Sequence, residues 1–149
     1  MVKPAIRLVL DTNIVMDILH FYDQSTQWLQ TALIDRRVQC FSDTPCLAEL
    51  ERVVGYPEFG LDGLARKALI GHYLDFVTLC DAACGDEDYV LPRCRDADDQ
   101  KFLILGARCA ANLLITRDKL LLKLAKHRRP PPPFAILTAE AARRYLAPG

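Results

Sequence analysis

Residues 9–19 read VLDTNIVMDIL and place an aspartate where one apolar run ends and another begins. The run Ile6-Arg7-Leu8-Val9-Leu10 is mostly apolar on both alternating faces, the pattern of a short strand buried within a parallel sheet. Asp11, Thr12 and Asn13 follow, and a helix is expected from about Ile14 to His20, with Asn13 placed to cap it. A carboxylate at such a junction either satisfies free N–H groups at the helix entry or faces a ligand. The choice depends on whether other carboxylates reach the same place.

The alternation continues along the chain. Trp28, Leu29, Ala32 and Leu33 predict a helix over 26–36, and Val38–Phe41 reads as a second strand. Ser42-Asp43-Thr44-Pro45 is a turn and cap for a helix carrying Leu47, Leu50, Val53 and Val54, closed by Gly55-Tyr56-Pro57. A further helix is expected from Leu61 to Val77, and the stretch from Cys84 to Asp99 reads as a loop. Phe102, Leu103, Leu105 and Ala107 then predict a helix running into Asn112, Leu113–Thr116 a third strand, and Leu120–Lys126 a short helix. Arg128 to Pro133 is a stiff, proline-rich connector, Phe134–Leu137 a fourth strand candidate, and Thr138 the cap of a last helix.

Strands alternating with helices predict an α/β fold with three layers, α/β/α, around a mainly parallel central sheet. Right-handed crossovers would put the C-terminal end of every strand on one edge, the edge where open α/β sheets bind ligands. Asp11 follows the first strand, Asp118 comes two residues after Thr116, and Glu49 lies on the helix after the second strand. Asp96, Asp98 and Asp99 open the helix that feeds the third strand. Singly, each has an ordinary reading as a cap, a first-turn acid or a surface glutamate. A common ligand explains why all reach one edge. Crowded carboxylates raise their pKa values or bind cations, and oxygen donors without a His/Cys set select Mg²⁺ or Mn²⁺ over zinc.

At 149 residues the chain is expected to form a single domain, 1–149, and to bury about 68–70% of its unfolded surface. No apolar run reaches the roughly 18 residues of a bilayer span, and Met1-Val2-Lys3-Pro4 lacks signal-peptide character, so a cytoplasmic protein without a membrane partner is expected. The six cysteines contain no Cys-x-x-Cys pair and read as reduced; Cys80 and Cys84, with Cys94, form only a weak zinc candidate, with no histidine near. Net charge is zero, yet Asp81–Gln100 holds seven carboxylates against two arginines, whereas Lys101–Arg129 holds eight basic residues against Asp118. An acidic centre beside a basic flank suits a metal site acting on a polyanion, although two solvated faces would look the same.

Four blocks, VLDTNIVMDIL (9–19), PCLAELERVV (45–54), DADDQKFLILGARCAANLLITRDKLLL (96–122) and FAILTAEAARRYL (134–146), resemble in content and order those of PIN-domain proteins, in particular the bacterial toxin components of toxin–antitoxin systems. The resemblance extends from about residue 6 to residue 146. It implies metal-dependent hydrolysis of RNA phosphodiester bonds, a homodimer and a cognate antitoxin. By position, the family's acidic set falls on Asp11, Glu49, Asp99 and Asp118, with Asp96 and Asp98 as further acids of the Asp-x-Asp-Asp motif. On this resemblance Asp11 and Asp99 are the primary ligands of Mg²⁺ or Mn²⁺, and Glu49 and Asp118 complete the shell or orient water. Asn13, Thr116 and Thr12 support the site, and Arg117, Lys119, Lys123, Arg128 and Arg129 are the RNA-binding candidates.

Rival readings differ at identifiable residues. A phosphatase of the haloacid-dehalogenase type needs a second acid two residues after the first, where Asn13 stands. A receiver-like phosphoacceptor needs a lysine after a later strand, which Lys119 meets only loosely. The third rival keeps the PIN fold without catalysis, as a platform for RNA or a protein partner.

Overall fold

The computed structural model describes residues 5–82 and 89–146. Among the described residues, five strands form one parallel sheet: β1 (Ile6–Leu10), β2 (Val38–Ser42), β3 (Val77–Leu79), β4 (Leu113–Ile115) and β5 (Ala135–Leu137). Their spatial order is β3-β2-β1-β4-β5, so β1 lies at the centre and the order reverses beside it. The register pairs Leu8 with Cys40 on one side and with Leu113 on the other. Among the described residues, seven α-helices join the strands: α1 (Thr12–Leu19), α2 (Gln27–Ile34), α3 (Thr44–Val54), α4 (Gly63–Leu74), α5 (Gln100–Arg108), α6 (Lys119–Leu122) and α7 (Ala139–Leu146). None of the helices described is long and apolar enough to cross a membrane.

Strand pleating divides the apolar side chains between two cores. Leu8, Leu10, Cys40, Leu113 and Ile115 point to the face packed by α1, α2, α3, α4 and α7, with Ile14, Leu29, Leu50, Leu69 and Ala142. Val9, Phe41, Leu114 and Ile136 point to the face covered by Phe102, Leu103 and Leu105 of α5, with Leu121 and Phe134. A sheet buried on both faces accounts for the near-continuous apolar runs in the sequence. On α5, a Cβ at Gly106 would approach the Phe134 ring at 2.7 Å, so only glycine lets the helix lie this close. The five described cysteines are free thiols. Burial pushes Cys40 up to about 12 and Cys109 to about 11, which keeps both protonated as small core residues.

The structure corrects several expectations. Asn13 is not a cap: α1 begins at Thr12, and the extended backbone of Asp11 (φ −61°, ψ 150°) occupies the cap position. The helix expected from Leu61 to Val77 ends at Leu74, capped at its start by Asp62, and residues 77–79 become an additional strand at the sheet edge. Three residues in a half-exposed edge strand give too little periodicity to separate from a helix end. Asp96, Asp98 and Asp99 precede α5 rather than opening it, in a 3-10 turn over Ala97–Asp99. Cys80 follows β3 and is not helical, so a helix face shared with Cys84 does not arise there; Cys84 and the other residues of 83–88 lie outside the described residues.

Candidate active site

Parallel pairing puts the C-terminal ends of β1, β2 and β4 on one edge, and the candidate acids enter from there. Asp11 leaves β1 with 4% exposure, and its carboxylate makes no capping bond. Its Oδ2 instead accepts a hydrogen bond of 2.7 Å from the Thr116 hydroxyl, just beyond β4. The same Thr116 oxygen accepts from the Asp118 backbone N–H at 3.0 Å, which ties the two loop aspartates together. Asp118 Oδ1 caps α6 through the Leu120 N–H at 2.7 Å, so the capping reading holds for one oxygen and leaves the other without a protein partner among the described residues.

Asp43 starts α3 by accepting from the Cys46 N–H, and that helix carries Glu49 to the site. Both Glu49 oxygens are engaged: the Thr12 hydroxyl donates to Oε2, and the Lys101 ammonium lies 2.9 Å from Oε1. Arg52, the partner that helical spacing offers, is more distant at 3.8 Å. Asp99 enters from the turn before α5. It is 9% exposed and has neither a hydrogen-bond donor nor a cation on its carboxylate among the described residues. Asp96 and Asp98 are exposed; Asp96 spends an oxygen on the Asp98 N–H and adds only its field to Asp99.

Electrostatics join these groups. Burial, followed by the charges of Asp11, Asp118, Asp96 and Glu49, pushes the Asp99 carboxyl up to about 7. Burial also raises Asp11; the Thr116 hydrogen bond opposes the rise, and Glu49 and Asp118 add to it. The four acids therefore act on one another across the edge. As they stand, no three His, Cys, Asp or Glu side chains among the described residues are gathered closely enough to hold an ion. Like charges separate unless a cation draws them together, and Glu49 is held by Thr12 and Lys101. The donor set nonetheless suits a hard divalent ion, being all carboxylate. The histidines are occupied elsewhere: His20 packs on Phe21 and Phe59, His72 on Phe76, and His127 against the Pro130 carbonyl.

The remaining candidates divide. Thr12 and Thr116 are buried in the hydrogen bonds described, whereas Asn13 is exposed. Arg117 bonds Asp17 through Nε at 2.9 Å and Nη2 at 3.3 Å, and that pairing raises the guanidinium pKa. Sequence reading missed Asp17 as a partner because the contact spans 100 residues. It missed the pairing of Lys101 with Glu49 for the same reason. Lys119, Lys123, Arg128 and Arg129 are exposed. Lys119 adjoins Asp118, but the parallel β5 requires the chain to return to the opposite edge, and Arg128 and Arg129 lie on that return. A cavity of about 470 Å³ opens at that opposite edge, lined by Ile6, Trp28, Val38 and Arg143, and contains none of the acids.

Comparison with known proteins gives one family: a model described as PIN domain matches residues 7–120. No curated protein matches the chain.

Proposed function

The chain belongs to the PIN-domain family, whose members are generally nucleases, and from that premise we propose that it is a metal-dependent ribonuclease, the toxin of a type II toxin–antitoxin module acting in the cytoplasm. What supports this reading is the electrostatic coupling of Asp11 and Asp99 to Glu49 and Asp118, four acids from four separate segments. Asp11 and Asp99 have no cation of their own, and the burial that raises both is a cost that a bound ion relieves. A platform freed of catalysis has no need to keep these charges together.

In this reading Asp11 and Asp99 would hold a Mg²⁺ or Mn²⁺ ion, Asp118 would complete its shell, and Glu49, held by Thr12 and Lys101, would orient water beside it. Such an ion would supply an acidified water at neutral pH and positive charge to offset the charge that builds on the phosphate. Thr116 fixes the rotamer of Asp11 and the loop of Asp118 with one hydroxyl. Thr12 does the same for Glu49. The basic side chains after Asp118, beginning with Lys119 and Lys123, contact RNA phosphates. The resemblance to toxin components supports RNA as substrate, a cognate antitoxin as partner and a homodimer.

The test is cleavage of an unstructured RNA by the purified protein in Mn²⁺ and in EDTA. Cleavage with metal and none in EDTA is expected; equal rates would rule out the metal mechanism. An absence of cleavage in both, with RNA still bound, would favour the platform.

A further inference from the structure

Lys101 is one residue removed from the Asp-x-Asp-Asp segment, and its ammonium sits among the acids rather than in solvent. It donates to Glu49 Oε1 at 2.9 Å and to the Asp98 carbonyl at 2.7 Å, with the side chain 20% exposed and that of Glu49 13%. These two contacts use two of its three N–H donors. The Thr12 hydroxyl holds the other Glu49 oxygen, so this carboxylate has a full set of protein partners while Asp11 and Asp99 have none with positive charge.

Charge counting then separates the group. Four carboxylates alone would suit two divalent ions. With Glu49 already neutralised by a fixed ammonium, the remaining three, Asp11, Asp99 and Asp118, suit one. We propose that Lys101 stands in place of a second metal ion: the site takes a single divalent cation, and the Lys101–Glu49 pair supplies the other positive charge. This rests on the metal-dependent reading given above and specifies its stoichiometry. Lys101 is thus a positioning residue. It orients Glu49 and, through the Asp98 carbonyl, holds the 3-10 turn that presents Asp99.

The experiment is Mn²⁺ titration by calorimetry, with native mass spectrometry to count bound ions. Wild type should take one Mn²⁺ per chain. Glu49→Gln should retain that single ion, bound up to about tenfold more weakly, because the substitution removes a neighbouring charge and not a ligand. Lys101→Met should acquire a second ion or bind Mn²⁺ about tenfold more tightly, since a repelling unit charge is gone from an acidic site. Lys101→Arg, which keeps the charge, should remain at one. Two ions in wild type, loss of the ion in Glu49→Gln, or unchanged binding in Lys101→Met would each overturn the proposal. If circular dichroism shows that Lys101→Met does not fold, wild type and Glu49→Gln decide. Wild type taking up no Mn²⁺ would instead refute the metal-dependent reading itself, a distinct result.

Discussion

The Thr116 hydroxyl donates to Asp11 Oδ2 at 2.7 Å across 105 residues of sequence. Thr116 is fully buried and Asp11 nearly so, and one side-chain oxygen also receives the Asp118 N–H, so the loops after β1 and β4 share a single hinge of polar contacts. Thr116→Val preserves shape and removes both bonds. It should cost about 1–3 kcal/mol, the penalty for leaving buried polar groups unpaired. At this chain length that lowers the melting point by about 2–4 °C for each kcal/mol. Thr116→Ser should recover most of the loss. Thermal denaturation checks it, and a Thr116→Val protein as stable as wild type would make the hinge dispensable.

Asp99 gives metal-free stability a definite pH dependence. Its carboxyl is raised from 3.8 in the ordinary state to about 7 in the fold, so the folded chain holds the proton more tightly than the unfolded chain. Stability in EDTA should therefore fall as pH rises from about 4 to about 7 and level off above that. Asp11, also raised, contributes in the same direction. Asp99→Asn should show a shallower fall and melt above wild type at pH 8 in EDTA, yet gain little from Mn²⁺. Melting curves across pH test this. A destabilised metal-free variant with an undiminished Mn²⁺ shift would assign Asp99 to the start of α5 and leave Asp96 or Asp98 as the ligand.

The placing of the acids and the contacts that hold them are not equally legible in the sequence. Asp11, Glu49, Asp99 and Asp118 can be assigned to one edge because apolar patterning shows strands alternating with helices, and the right-handed crossovers of a parallel sheet put every strand's C-terminal end on one side. The central strand Ile6–Leu10 has the same bounds in sequence and structure. What holds each acid is not readable. Lys101–Glu49 and Arg117–Asp17 span 52 and 100 residues, and no periodicity encodes such contacts. Helical spacing offers Arg52 for Glu49, but α5, packed on the other face of the sheet, delivers a closer cation. Val77 reads as the end of the preceding helix, and no strand is expected there, because a three-residue edge strand has neither length nor a buried face to mark it.

Arg117 should behave as a structural clamp. Its guanidinium is half exposed, but the Asp17 carboxylate it binds is 9% exposed and on α1 beside the site. Arg117→Ala should cost about 1–3 kcal/mol by stranding that carboxylate. Adding Asp17→Asn should recover part of the loss, because the stranded charge disappears. Double-mutant melts measure the coupling. Purely additive effects, with RNA affinity falling and stability unchanged, would return Arg117 to the phosphate-binding group.

The exposed basic residues should sort by their distance from the edge. Lys119→Ala with Lys123→Ala should flatten the salt dependence of RNA binding by about 0.7 log unit for each phosphate no longer neutralised. Arg128→Ala with Arg129→Ala, on the return toward the opposite edge, should alter the slope less. Binding isotherms at several salt concentrations decide. A larger effect from the arginine pair would place the RNA path along that return.

The most direct test of the four-acid site is single-turnover RNA cleavage in Mn²⁺ by wild type and Asp11→Asn. The substitution keeps size and the oxygen that accepts from Thr116 but removes the charge of the proposed primary ligand. Wild type should cleave, and Asp11→Asn should be slower by several orders of magnitude while melting no lower than wild type in EDTA. An Asp11→Asn protein cleaving within tenfold of wild type would contradict the account, because catalysis would then reside somewhere other than at the end of β1.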